Sequence, residues 1–281
     1  MIDVTSELAA LRDRVTGWKR AGQQVAFVPT MGNLHAGHFS LVELARRHAD
    51  RVVASVFVNP TQFGPNEDFS RYPRTPEADT AGLDAAGCDL LWLPSVETMY
   101  PFGVEATVRI GVPGVTETLE GAHRPGHFEG VATVVARLFN QVQPDVAVFG
   151  RKDYQQLAVI RYMVRDLAFP VEIIAADTRR EADGLAMSSR NQYLSAEERP
   201  VAAEINRCLQ SMREGVRAGR PREQVESEAA SRLSGAGFAV DYAVVRDREL
   251  GLPATGHGPR VALVAARLGR TRLIDNLEFE A

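Results

Sequence analysis

A predicted strand, a glycine-containing loop and a helix start follow one another between residues 25 and 38, and this succession most constrains the fold. Residues 25–28 form an apolar run that predicts a buried strand, and residues 29–38, Pro-Thr-Met-Gly-Asn-Leu-His-Ala-Gly-His, predict a tight loop opening a helix. Gly32 and Gly37 let the backbone approach a ligand closely and adopt dihedral angles that side chains disfavour. Because the first turn of a helix has unpaired N–H groups, the pattern predicts a phosphate-binding site.

Two histidines lie three residues apart in this loop. If the helix begins near Ala36, both His35 and His38 lie on one side of the anion site. An imidazole can donate a hydrogen bond to a phosphoryl oxygen as charge develops in a transition state. The alternative is a pair of surface histidines at a helix start. The His-x-Gly-His pattern resembles the signature of nucleotidyltransferases and class I aminoacyl-tRNA synthetases, and that resemblance implies ATP.

The composition is that of a globular protein acting on small molecules. The chain has 281 residues, 45% hydrophobic and 24% charged, enough for one large domain or two smaller ones. A net charge of −4 argues against broad affinity for nucleic acid or anionic membranes. The sequence shows neither a signal segment nor an apolar run of membrane-spanning length, which predicts a cytoplasmic protein. Cys88 and Cys208 lack metal-site spacing and are expected to be reduced thiols.

Hydrophobic periodicity predicts an α/β protein with two domains. A Rossmann-like parallel sheet domain with the His-x-Gly-His ATP site is expected over residues 1–178, and a smaller C-terminal α+β lid domain over residues 179–281. The near-continuous apolar run at 52–58 is typical of a strand buried on both faces. Predicted helices cover residues 3–21, 76–86, 131–142, 196–217 and 222–234; predicted strands cover 25–28, 52–58, 89–94, 105–110, 144–150, 171–176, 238–246, 260–268 and 271–275.

Polar side chains concentrate in two loops of the first domain. Asn59 and Gln62 follow a strand at its carboxyl end, where α/β sheets bind ligands, and their amides suit a hydroxylated, carboxylated substrate. Tyr72 extends this loop. Arg124 and His127 lie between glycines at the end of a long irregular segment. The alternatives are a plain connecting loop for the first group and a solvated basic turn for the second.

A second strand, glycine and helix start occurs at residues 146–156. Gly150 ends the strand, and Lys152 can reach phosphate oxygens from the turn that follows. Asp153 is either a helix cap or functional. Gln156, one turn beyond Lys152, is expected to point into the same cleft.

Residues 188–190, Ser-Ser-Arg, combine two hydroxyls with a guanidinium and so can bind an anion. Alone, this triplet would be typical of a surface loop. Following His-x-Gly-His in the chain, it resembles the Lys-Met-Ser-Lys-Ser loop of the same ATP-using group.

Five motifs, in order, resemble those of the pantothenate synthetase family across essentially the whole chain. They are residues 29–38, 57–63 (Phe-Val-Asn-Pro-Thr-Gln-Phe), 124–128 (Arg-Pro-Gly-His-Phe), 152–156 (Lys-Asp-Tyr-Gln-Gln) and 184–191 (Gly-Leu-Ala-Met-Ser-Ser-Arg-Asn). The resemblance implies ATP-dependent condensation of (R)-pantoate with β-alanine, giving pantothenate, AMP and diphosphate through a pantoyl adenylate. It also implies Mg²⁺ and a homodimer.

The same resemblance implies roles for individual residues. The implied catalytic residues are His35, His38, Lys152, Ser188, Ser189 and Arg190, with His38 as a proton donor. All six of these catalytic residues are also implied to bind ATP. The other implied ATP-binding residues are Met31, Gly32, Asn33, Leu34, Ala36, Gly37, Gly150, Arg151, Asp153, Arg179 and Met187. The implied binding residues for pantoate or β-alanine are Gln62, Gln156, Asn59, Tyr72 and Arg124.

Four positions depart from the family pattern. Asn33 and Ala36 replace the usual alanine and glutamate, Arg151 replaces a glutamate, and Arg179 occupies a usually aliphatic position. Activity is still expected, with altered affinity for ATP or metal. The Mg²⁺ ligand is left open between Asp79 and coordination by phosphate and water alone. Two alternative functions also stay open: an adenylyltransferase of another small acid, and a nucleotide-binding regulator that has lost catalysis.

Overall fold

The computed structural model describes residues 1–64, 69–254 and 257–281, and the chain forms two compact units. The first unit contains Met1–Gly150 and Gln156–Asp177, and the second contains Arg151–Gln155 and Thr178–Ala281. The turn at 151–155 therefore belongs to the second unit, although the residues on both sides of it belong to the first. A single domain boundary in the sequence cannot describe this arrangement. The domain ranges 1–178 and 179–281 stay a prediction.

The first unit is built on six parallel strands in the order β1-β4-β3-β2-β5-β6. The middles of β2 and β3 are fully buried because helices cover both faces of the sheet. This confirms the predicted parallel sheet. The strands are β1 (Asp3–Thr5), β2 (Val25–Thr30), β3 (Arg51–Val56), β4 (Leu90–Trp92), β5 (Val146–Gly150) and β6 (Glu172–Ala176).

Seven helices accompany this sheet in the described residues, and α7 begins within the turn that belongs to the second unit. The predicted apolar stripe of α6 is confirmed, since Val131, Leu138 and Val142 are all buried. The helices are α1 (Leu8–Arg20), α2 (Ala36–Ala45), α3 (Pro76–Ala85), α4 (Val96–Met99), α5 (Glu120–His123), α6 (His127–Val142) and α7 (Tyr154–Asp166).

Two elements of the first unit were predicted wrongly. Residues 3–5 form strand β1 rather than the start of a helix, because they pair in parallel with β4 at the sheet edge. Residues 105–110 form no strand in the described structure. The Ile110 amide instead donates to the Thr133 hydroxyl at 2.9 Å, so a side chain of α6 replaces the partner that a strand would need.

The second unit confirms the smaller α+β fold. An antiparallel sheet in the order β7-β8-β9 packs against helices through one apolar core. The predicted helix 196–217 is divided at Ala203, and β9 continues beyond the predicted end at 275 because it pairs with β8 as far as Glu280. The elements are α8 (Glu198–Ala202), α9 (Glu204–Arg217), α10 (Arg222–Gly235), β7 (Phe238–Arg246), β8 (Pro259–Leu268) and β9 (Thr271–Glu280).

Each unit contains one buried cysteine. Burial raises the pKa of the Cys88 thiol to about 12 and that of the Cys208 thiol to about 11, so both thiols are neutral near pH 7. No helix in the described part of the chain combines the length and apolar character needed to cross a membrane.

Helix α6 approaches the 3₁₀ turn Pro60–Gln62 so closely that only glycine fits at position 130. A Cβ there would lie 2.4 Å from the carbonyl oxygen of Thr61. We expect Gly130→Ala to cost about 1–3 kcal/mol by overpacking and to lower the thermal unfolding midpoint by several degrees.

Gly17→Ala is the matched control, because a Cβ at this helical glycine would meet nothing within 4 Å. It should stabilise the protein by roughly 0.5–1 kcal/mol through helix propensity. Equal unfolding midpoints for the two variants would contradict the close approach of α6 to the turn.

Candidate active site

The strand order of the first unit reverses beside β2, the strand that precedes the 31–38 loop. β2 pairs with β3 on one side and with β5 on the other, with Ala26 opposite Val146. The 31–38 loop follows β2, and the 151–155 turn follows β5. In open α/β sheets, ligands bind at the carboxyl ends of strands at such a reversal.

The 31–38 loop turns sharply at two consecutive left-handed residues. Gly32 has φ +84° and Asn33 has φ +51°, and a Cβ on Gly32 would lie 3.1 Å from a carboxylate oxygen of Asp79. The helix begins at Ala36, which confirms the predicted start. Gly37 lies in the first helical turn, so it does not need the unusual dihedral angles that the sequence suggested.

His35 and His38 lie side by side at the start of α2, as predicted. Their ring centroids are 4.1 Å apart. Nδ1 of His35 accepts from the Gly37 amide at 3.1 Å, and Nδ1 of His38 accepts from the His35 amide at 3.3 Å. A neutral ring whose Nδ1 accepts carries its proton on Nε2. The loop therefore makes Nε2 of both histidines a hydrogen-bond donor.

Asp79 on α3 holds this loop in place. One carboxylate oxygen accepts from the Asn33 amide at 2.9 Å, and the other accepts from the Leu34 amide at 2.8 Å and the Thr75 hydroxyl at 3.0 Å. The Asp79 residue is only 2% exposed. Its oxygens are thus occupied by the protein's own donors, which argues against Asp79 as the Mg²⁺ ligand.

Asn59 supports Gln62 through its side-chain amide. Asn59 is 1% exposed, and its Nδ2 donates to Gln62 Oε1 and to the Gly130 carbonyl, both at 3.2 Å. Its Oδ1 accepts from the Tyr100 hydroxyl at 2.6 Å. These bonds give Asn59 a supporting role for Gln62, and its direct binding of substrate stays a prediction.

The side-chain NH₂ group of Gln62 makes a weak contact that a ligand could replace. Its Nε2 lies 2.9 Å from the Met31 sulfur, and a thioether is a weak acceptor. An oxygen of a ligand would be a better partner for this amide. Tyr72, the neighbouring candidate, is buried with its ring edge-on to Phe63 at 5.9 Å.

Arg124 and His127 meet at the start of α6. Nη1 of Arg124 lies 3.0 Å from Nε2 of His127, and Nδ1 of His127 lies 2.8 Å from the Gln62 carbonyl oxygen. A small cavity beside this chain of contacts is lined by Gln62, Phe63 and His127 among others. The basic loop is thereby joined to the Gln62 turn, which favours the functional interpretation over a solvated turn.

The Lys152 turn belongs to the second unit and is held by β9. Asn276 donates from Nδ2 to the carbonyl oxygens of Arg151 and Lys152, at 2.9 and 2.8 Å. Arg151 forms an ion pair with Glu278, which also accepts from the Tyr154 hydroxyl at 2.9 Å. Helix α7 begins only at Tyr154.

Lys152 therefore precedes helix α7. The predicted shared helical face of Lys152 and Gln156 is wrong because Lys152 is not in the helix. The Lys152 ammonium lies 3.9 Å from an oxygen of Asp153, its neighbour in the turn.

Residues 179–191 form a second backbone-bonded segment of the second unit. The Met187 amide donates to the Arg179 carbonyl at 2.9 Å, and Asn191 Nδ2 donates to the Ala186 carbonyl at 3.0 Å. The Ser188 hydroxyl accepts from the Arg190 amide at 3.3 Å and caps the 3₁₀ turn Ser189–Tyr193. The Ser-Ser-Arg triplet is thus an ordered turn.

Comparison with known proteins identifies the family of this chain. The family model for pantoate-beta-alanine ligase matches residues 3–278. The chain belongs to this family. It is 68% identical to pantothenate synthetases of Stenotrophomonas maltophilia strain K279a, over 279 residues, and Xylella fastidiosa strain M12, over 281; each alignment covers 99% of this chain and all of the relative.

Two solved structures share the fold. Pantothenate synthetase from Thermus thermophilus has 50% identity and a TM-score of 0.91, covering 98% of this chain and 99% of that one. Pantoate-beta-alanine ligase from Francisella tularensis, complexed with beta-gamma ATP and beta-alanine, has 31% identity and a TM-score of 0.83, covering 99% and 97%.

Several supporting residues were missed by sequence reasoning. Asp79 was considered only as a metal ligand, and Tyr100, Asn276 and Glu278 were not singled out at all. No local sequence pattern predicts these residues, because each forms hydrogen bonds with a segment that is distant in the chain. The buried polar character of such residues is visible only once the fold is known.

The bonds from the Asn33 and Leu34 amides to the Asp79 carboxylate predict that Asp79→Asn loosens the 31–38 loop. The asparagine side chain has one acceptor oxygen where the aspartate carboxylate has two. Its NH₂ group would face a backbone N–H, and two donors cannot bond to each other. Because bonds to a charged acceptor contribute about 1.5–3 kcal/mol, we expect the Asn33 and Leu34 amides to exchange with deuterium about tenfold faster or more.

Asp84→Asn is the control, since Asp84 lies on the same helix with an exposed side chain, 3.5 Å from the fully exposed N-terminal ammonium. It should leave amide exchange in the 31–38 loop unchanged. If the Asn33 and Leu34 amides of Asp79→Asn exchanged as slowly as in the wild type, Asp79 would not be the residue that holds this loop.

Proposed function

We propose that this protein condenses (R)-pantoate with β-alanine, using ATP, to form pantothenate, AMP and diphosphate through a pantoyl adenylate. One observation carries the proposal: two adjacent imidazoles, each with Nδ1 bonded to backbone, lie at the start of α2 in a chain of the pantoate-beta-alanine ligase family. Donors fixed before the ligand arrives suit charge that develops on a phosphoryl group.

In the first step, a carboxylate oxygen of pantoate attacks the α-phosphorus of ATP. A P–O bond forms to the acid, and the bond to the diphosphate leaving group breaks. We propose that the Nε2–H groups of His35 and His38 donate hydrogen bonds to the phosphoryl oxygens and keep their protons, so the diphosphate leaves as an anion. Lys152, Ser188, Ser189 and Arg190 would contact the remaining phosphate oxygens, so positioning and charge neutralisation supply most of the rate enhancement.

Pantoate would be oriented mainly by amides. Gln62 exchanges its weak contact with the Met31 sulfur for an oxygen of pantoate, and Gln156 is the second amide assigned to this substrate. Tyr72 and Arg124 complete the assigned set. Asn59 contributes by holding Gln62, because its own amide is already bonded.

In the second step, the amine of β-alanine attacks the acyl carbon of the adenylate. The C–N bond forms, the amine loses a proton, and AMP leaves with the electron pair of the C–O bond. Water competes for the same acyl carbon, so the site must exclude it while the adenylate exists. No covalent bond to the protein is required in either step.

We propose that Mg²⁺ enters as the Mg–ATP complex. Among residues 1–64, 69–254 and 257–281, no three His, Cys, Asp or Glu side chains are grouped to hold a metal ion. The carboxylate of Asp79 is occupied by backbone amides and a hydroxyl. The described side chains therefore offer no three-ligand site, and we propose that phosphate and water coordinate the ion.

A cytoplasmic location and a homodimeric state complete the proposal. The first is the location expected of a biosynthetic enzyme of this family, and the second rests on the family resemblance. Sedimentation of the purified protein measures the second directly.

The decisive assay follows AMP, diphosphate and pantothenate with Mg–ATP and pantoate, with and without β-alanine. We expect pantothenate only with all substrates. His38→Ala should lower the rate by orders of magnitude, because a donor to the developing charge is lost. His48→Ala is the control, since His48 is an exposed histidine just after α2.

Two other outcomes would contradict the proposal. Diphosphate without amide would indicate an adenylyltransferase. ATP binding without either product would indicate a nucleotide-binding regulator.

A further inference from the structure

We propose that Asn276 and Asp275, consecutive residues of β9, are positioning residues that hold both phosphate-binding segments of the second unit. These segments are the 151–153 turn with Lys152 and the 184–190 segment with the Ser-Ser-Arg triplet. The inference rests on the proposed function for what the segments bind. The holding contacts themselves are properties of the fold.

Asn276 fixes the Lys152 turn through two carbonyl groups. Its Nδ2 donates to the carbonyl oxygens of Arg151 and Lys152, and the residue is only 5% exposed. One NH₂ group bonded to two successive carbonyls sets the direction of both peptide units. Aspartate has the same shape but only acceptors, so it could not make these bonds.

Asp275 fixes the second segment through Arg180. The guanidinium binds both Asp275 oxygens, at 2.6 and 3.0 Å, in a buried ion pair. Arg180 also donates to the Gly184 carbonyl at 3.0 Å. Gly184 has φ +91° and begins the stretch that leads to Ser188. A planar, two-pronged donor is required for this arrangement.

The two contacts are joined at one point of the strand. Arg180 donates to the Asn276 carbonyl at 3.2 Å while it binds the Asp275 carboxylate. β9 also packs against the 3₁₀ turn Ser189–Tyr193. A shift of β9 at this point would therefore move both segments together.

The charges of this cluster are satisfied within the protein. Arg180 is paired with Asp275, and Arg151 is paired with Glu278. The cluster thus contributes geometry rather than net charge to phosphate binding. Its loss should weaken interactions with ATP and leave those with pantoate and β-alanine unchanged.

The test is Asn276→Asp in the full-length protein. We expect KM for ATP to rise about tenfold or more, since small displacements of positioned groups have large effects, with KM for pantoate within about twofold of wild type. In a Lys152→Ala background, Asn276→Asp should add little further loss, because its effect acts through Lys152.

Two further variants keep the test decisive if Asn276→Asp folds poorly. Arg180→Lys retains the charge but not the two-pronged geometry, and it should also raise KM for ATP. Gln224→Glu, on the exposed face of helix α10, adds the same negative charge as Asn276→Asp and should leave all three KM values unchanged.

Wild-type KM for ATP in folded Asn276→Asp and Arg180→Lys would overturn the inference. Fully additive losses with Lys152→Ala would overturn it as well, since they would indicate general destabilisation. If the wild type makes no pantothenate, the proposed function fails, and calorimetric Kd values for ATP in the same variants decide the positioning role. If the wild type does not bind ATP, both the proposed function and the positioning role of Asn276 and Asp275 are refuted.

Discussion

The adjacency of β2 and β5 in the parallel sheet is the constraint on which the candidate site depends. Parallel pairing aligns their carboxyl ends, so the histidine loop after Thr30 leaves the sheet at the edge where α/β proteins bind ligands. Distant side chains hold both loops, from α3 for the histidine loop and from β9 for the Lys152 turn.

Several polar residues near the site act on the protein rather than on a ligand. Asp79 and Asn59 carry the functional groups expected of ligand-binding residues, yet their oxygens and nitrogens bond to backbone and neighbouring side chains. Buried polar groups must be bonded, and here those bonds hold Asn33 at positive φ and orient Gln62. Strained backbone of this kind costs on the order of 1–3 kcal/mol and persists only where surrounding bonds maintain it.

The parts of the structure that depend on local pattern were predictable. The β2-loop-α2 succession, the apolar stripe of α6 and the antiparallel strands of the second unit all follow from hydrophobic periodicity. Two of the wrong predictions concern partners distant in sequence: β1 exists because β4 lies beside it, and residues 105–110 bond to α6 instead of to a strand. The supporting contacts of Asp79 and Asn276 were unpredictable for the same reason.

Three of the four departures from the family pattern, Asn33, Ala36 and Arg151, have local physical explanations. Asn33 adopts φ +51°, a conformation that asparagine tolerates better than the alanine usual at this position. Ala36, the first residue of α2, removes a carboxylate that would compete with phosphate at the helix N-terminus. Arg151 reverses a charge, but its guanidinium pairs with Glu278 on β9. The reversed charge is thereby neutralised within the second unit, and Lys152, the next residue, stays the proposed phosphate-binding residue.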